Sequence, residues 1–148
     1  MPTHDLEATP TVQRELGQFS LTAAVEGRWV LTDYQYPDLP SRLPEHPALY
    51  CWCLDHRPVY VGETDRLRRR IRGYVNPGPS QQTNIRLAER LLRARTEGKV
   101  VELAILADIR LNGKPVPPSA LADKDLRRLL EACCSYQLRQ EGHELLNR

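Results

Sequence analysis

No stretch of this 148-residue chain approaches the apolar length needed to cross a bilayer. The opening run MPTHDLEATPTVQREL has neither the basic start nor the apolar segment of a secretory signal. These two absences predict a cytoplasmic protein. A large charge excess is also missing: the net charge is only +2, so bulk electrostatics announces no polyanionic partner. Cysteine is sparse, with four residues placed as Cys51-x-Cys53 and Cys133-Cys134. Adjacent cysteines on one helix point in different directions, so the spacing favours reduced packing residues over a shared metal. The length suits one domain with a sizeable core and leaves no room for a large appended targeting domain.

What is present is an uneven distribution of charge. Arg66, Arg68, Arg69, Arg70, Arg72, Arg86, Arg90, Arg93 and Arg95 crowd one segment against the single acid Glu89. A solvated surface would account for such a run, but the bias to arginine over lysine suits the fork geometry of phosphate oxygens.

Hydropathy patterning predicts the elements. Phe19 to Val25 and Arg28 to Tyr34 are β-prone runs around Glu26-Gly27, which reads as a hairpin. Four prolines between Pro37 and Pro47 make residues 35–46 an irregular connection. Ala48 to Leu54 and Val59 to Glu63 read as a second hairpin turning near Asp55. A helix capped by Thr64 or Asp65 runs to about Val75, and another capped by Thr83 runs to about Glu97 with Ile85, Ala88, Leu91 and Leu92 inward. Val100 to Ala107 is a buried strand. A last helix covers Lys124 to Gln140 with Leu126, Leu129, Leu130, Cys133 and Tyr136 inward. The class is α+β: a small mixed or antiparallel sheet flanked by helices, with residues 1–46 as an arm and extra hairpin packed on a compact unit, 47–148.

Ala48-Leu49-Tyr50 and Tyr60-Val61-Gly62 resemble the two tripeptides that name the GIY-YIG nuclease family, and VYVGETDRLRRRIRGYVN is the most specific part of the match. The resemblance covers roughly residues 47 to 148 and is closest in motif to the nuclease domain of the bacterial excision-repair incision enzyme. It implies that Tyr50, Tyr60, Arg70, Tyr74, Glu131 and Asn147 are catalytic, with Glu131 the ligand of a single Mg²⁺ or Mn²⁺. It also implies that DNA is the partner and phosphodiester hydrolysis the reaction. Gly62, Arg66, Arg69, Asn84, Arg86 and Arg90 are the expected substrate-binding residues. Two positions depart from the pattern: Ala48 replaces a glycine, and Glu63 stands where the repair branch has lysine, reversing a charge beside the phosphate site.

The residues support this chemistry independently. A hairpin turning near Asp55 sets Tyr50 and Tyr60 roughly opposite each other on one face of the sheet. Arg70 and Tyr74, four apart, share a helical face. Hydrolysis needs an oriented water and positive charge where negative charge accumulates, which a carboxylate-bound cation and an arginine supply. Taken singly, each residue has a plain structural role: strand tyrosines pack, helical glutamates pair, and Asn147 caps a terminus. Their ordered conjunction is what packing does not require. The alternative is a catalytically weak or inactive nucleic-acid-binding module of the same fold, and either form would draw targeting from a homodimer or a partner protein.

Overall fold

A computed structural model describes residues 20–31, 43–75 and 82–147. In chain order the elements are β1 (Leu21–Leu31), β2 (Ala48–Leu54), β3 (Arg57–Thr64), α1 (Leu67–Val75), α2 (Gln82–Thr96), β4 (Val101–Leu111), β5 (Lys114–Pro115), a 3-10 turn (Pro118–Ala122) and α3 (Lys124–Gln140). The strands form one antiparallel sheet in the order β1-β4-β2-β3, with the two-residue β5 paired to β4. The α+β class therefore holds, and the sheet contains no parallel pair among these residues. No helix among the described residues is long and apolar enough to cross a membrane.

The sheet is covered on both faces. On one face Tyr50, Trp52, Leu103 and Ile105 pack against Leu67, Ile71 and Tyr74 of α1 and Leu87, Leu91 and Ala94 of α2. On the other, Leu49, Cys51, Cys53, Val61 and Ala104 meet Leu130, Cys134 and Leu138 of α3. Each fully buried Leu or Ile contributes about 1.5–3 kcal/mol, so α1 and α2 are held mainly by these stripes. The four cysteines form no disulfide, and Cys51 and Cys53 are buried between the sheet and α3.

Three expectations are corrected. Residues 21–31, which span parts of both expected arms and the expected turn at Glu26-Gly27, form one continuous strand rather than a hairpin: Leu21 pairs with Leu111 and Leu31 with Val101. Register shifts between Thr22 and Ala24 and between Val25 and Gly27 absorb the break in alternation that mimicked a turn. The inward stripe of α2 is Leu87, Leu91 and Ala94, while Leu92 is 58% exposed. On α3 Leu129 and Tyr136 face out, at 50% and 54% exposure, and Arg127, Leu130 and Ser135 are buried. A helix with apolar residues at several phases leaves its rotation undecided until a sheet face selects one. The arm before residue 20, the irregular connection up to residue 42 and the Pro-Gly-Pro loop lie outside the described residues.

Candidate active site

Strand register brings the tyrosines together. The hairpin closes through Asp55 and His56, both with positive φ (49° and 68°), so Leu54 pairs with Arg57 and Cys53 with Pro58. Next to Pro58 the register shifts by one, and Trp52 pairs with Tyr60 and Tyr50 with Gly62. Without that bulge Tyr50 would pair with Val61, and Tyr60 and Gly62 would point to the opposite face. Tyr60 is thus diagonal to Tyr50 on the same face, rather than directly across from it as the sequence suggested.

Helix α1 adds the third phenol. Leu67, Ile71 and Tyr74 are buried at helical spacing, and the Tyr50 and Tyr74 hydroxyls are 2.5 Å apart. Tyr74 is the hub: Tyr50, Trp52 and Tyr60 each meet its ring edge-on, at centroid distances of 6.1, 5.9 and 6.5 Å. Thr64 anchors the start of α1 by accepting the Arg66 N–H at 3.0 Å. Arg70 lies exposed on α1, within electrostatic reach of Tyr50, Tyr74, Tyr60 and Glu63.

Glu131 approaches from α3, on the other side of the sheet. The two sides meet because β3 is the edge strand. Its outward backbone groups are capped in succession: Val59 O accepts the Leu146 N–H at 2.6 Å, and the Asn147 side chain accepts from Val61 N at 2.9 Å and donates to Val61 O at 2.6 Å. The Glu131 carboxyl lies within electrostatic reach of Glu63 and Arg70. That proximity sets Glu131 near the rim of β3, where its charge is felt by Tyr50 and Tyr60.

Burial divides the roles of the phenols. Tyr50 is 1% exposed, and burial followed by the nearby Tyr60 pushes its phenol far above the usual range. Tyr74 is shifted the same way, chiefly by burial. Tyr60 is half-buried; burial raises it too, opposed by the neighbouring Tyr74 hydroxyl and Arg70. The Glu131 carboxyl is held above its ordinary value by burial and then by the charge of Glu63, with Arg70 and Arg128 pulling the other way.

Glu63 has a different place from the one its sequence position suggested. Period two puts it on the opposite face from Tyr60 and Gly62, and there Arg127 donates its Nε proton to Glu63 Oε2 at 2.7 Å. Arg127, 5% exposed by side chain, also donates to the carbonyls of Leu121 and Ala122. Its place four residues before Glu131 on one helix suggests pairing with that glutamate, but the structure gives Arg127 to Glu63 instead.

Other expected site residues sort by position. Gly62 does not leave space for a phosphate. The Tyr50 ring occupies that space, and a Cβ at Gly62 would lie 2.2 Å from Tyr50 Cζ. The Asn147 amide is spent on Val61. Arg66 and Arg69 are exposed on or before the first turn of α1. Arg86 and Arg90 line a cleft of about 300 Å³ together with Tyr60. Asn84 lies in α2, and its side chain falls outside the described residues. A larger cleft of about 590 Å³, lined by Ala48, Leu106, Ile109 and Leu121, contains none of these groups and no arginine or lysine.

No group of three His, Cys, Asp or Glu suited to a metal occurs among the described residues. A cation here would rest on Glu131, with water and substrate oxygens completing its shell, as Mg²⁺ tolerates. Comparison with family models, curated proteins and solved structures gives no significant match.

Proposed function

We propose that this chain is a metal-dependent DNA endonuclease of the GIY-YIG type. The observation that supports it most is the convergence of Tyr50, Tyr60, Tyr74, Arg70 and Glu131, drawn from four elements and both sides of the sheet, near the rim of β3. Tyr60, the phenol that reaches a cleft, orients the attacking water. Tyr74 holds Tyr60 in place through its ring contact, and Tyr50 fixes Tyr74 through the hydrogen bond between their hydroxyls. Arg70 sets positive charge against the phosphate oxygens as they gain negative charge. Glu131 would hold Mg²⁺ or Mn²⁺, which when bound neutralises phosphate charge and acidifies a coordinated water.

Glu63 does not argue against hydrolysis, because its charge is compensated by Arg127 rather than presented to the phosphate. Negatively supercoiled plasmid, which opens unpaired stretches, should yield nicked circles when incubated with the protein and Mg²⁺ or Mn²⁺, and chelation should abolish them. Glu131→Ala and Arg70→Ala should each remove the activity. Cleavage that persists in Glu131→Ala would refute the assigned cation ligand. DNA binding without any cleavage would instead favour the non-catalytic module.

A further inference from the structure

Two clefts meet beside Tyr60. The first, about 300 Å³, has Tyr60, Leu87 and Leu146 as walls and Arg86, Arg90 and Arg93 as its basic groups, with Glu89 at its margin. The second, about 520 Å³, lies between the start of β3 and the C-terminal segment, with Arg57 and His143 as its basic groups and Glu144 as its acid. Arg90 and Leu146 line both, so the clefts adjoin. Four guanidiniums face two carboxylates along this path. Arg90 stands at the junction, and its Nη1 is buried without a hydrogen-bond partner among the described residues. A buried guanidinium donor lacking an acceptor is costly unless a ligand supplies one.

We propose that the joined clefts form a channel for an unpaired polynucleotide strand ending at Tyr60, so that the substrate is single-stranded or carries a single-stranded flank. This deepens the nuclease reading of the tyrosine and Glu131 cluster and rests on it. The wall chemistry selects the strand form. An unpaired strand offers exposed base faces to an aromatic and aliphatic wall and a flexible backbone to arginines. A duplex hides its base faces and presents a convex, rigid backbone, which would rest on the rim and leave Arg90 unpaired. The volumes lie in the range of roughly 300–1,000 Å³ that accepts ligands about the size of a nucleotide.

The test reads binding by the full chain with chelator present, using fluorescence anisotropy at about 0.1 M salt. The probes are a labelled oligothymidylate of about fifteen nucleotides and a blunt hairpin duplex of equal nucleotide content. The single strand should bind at least about tenfold more tightly. Arg57→Ala combined with Arg93→Ala should weaken it by about tenfold or more and reduce the salt slope by roughly 1.4, the value for two phosphate contacts on a single strand. Both positions are exposed, so the circular dichroism should stay native. Arg93→Gln alone should weaken binding by about threefold and serves if the double variant unfolds. Equal binding of oligouridylate would support the channel and extend its ligands to RNA. Preference for the duplex, or unchanged strand binding by a folded variant, would overturn it. Plasmid nicking with unchanged strand binding removes the channel and keeps the nuclease; arginine-dependent strand binding with no cleavage does the reverse.

Discussion

Glu63 and Arg127 form a 2.7 Å ion pair between β3 and α3, with side-chain exposures of 14% and 5%. Removing one partner of such a pair leaves an uncompensated charge in a poorly solvated place. Arg127→Ala should therefore cost about 3–5 kcal/mol in urea unfolding. Replacing both residues, as in Glu63→Leu with Arg127→Leu, should recover part of that loss. A cost for Arg127→Ala below about 1 kcal/mol, the range of exposed pairs, would show that the pair is solvated in solution.

Gly62 is fixed by the ring above it rather than by its φ. Gly62→Ala would drive a methyl into Tyr50 Cζ, Oη and Cε2, all closer than 3.0 Å. Such overpacking costs about 1–3 kcal/mol and lowers the Tm by roughly 2–4 °C per kcal/mol. Wild-type melting of the alanine variant would mean that the Tyr50 ring has room to move aside.

The phenols should separate by mutation. Tyr60→Phe removes a hydroxyl beside the cleft and should depress metal-dependent cleavage by about 10²-fold while costing little stability. Tyr50→Phe leaves the buried Tyr74 hydroxyl without its 2.5 Å partner, which costs about 1–3 kcal/mol. Its effect on cleavage should be the smaller of the two. The reverse order in cleavage rates would transfer the water-orienting role to Tyr50.

Glu131 predicts a pH dependence with two signs. Burial and then Glu63 raise its pKa in the folded state, so the native protein binds the proton more tightly than the unfolded chain. The associated stability is present below the unfolded pKa and is lost as pH rises through the folded one. Glu131→Gln, which removes the charge and keeps the shape, should melt above wild type near pH 7. The gap should close by about pH 4, near the unperturbed glutamate pKa. Cation-dependent cleavage runs the opposite way, because a proton competes with the metal. It should fall, as pH is lowered, sooner than an ordinary glutamate would dictate. A glutamine variant that melts below wild type at pH 7 would show that the carboxylate is stabilised in place.

Much of the candidate site was legible in the chain because it depends on local periods. Four-residue helical spacing put Arg70 beside Tyr74, and strand alternation carried Tyr50 and Trp52 on one face. Alternation also separates Glu63 from Gly62, which local reasoning could have used. The bounds of α3, from Lys124 to Gln140, followed from its apolar spacing, and the structure adds the cap: the Asp123 side chain accepts from the Asp125 and Leu126 N–H groups.

The sequence by itself determined the α+β class and the helices, and the resemblance carried by its motifs singled out the three phenols, Arg70 and Glu131 as candidates. Tertiary structure decided which of them meet. The bulge beside Pro58 set the face on which Tyr60 lies, since a one-residue slip inverts a strand. The edge position of β3 let Glu131 reach a cluster built on the opposite face, and Arg127 neutralised the charge that seemed out of place at Glu63. These are contacts between residues distant in sequence, selected by packing and by the need to pair every buried charge and backbone group, and no local period encodes them.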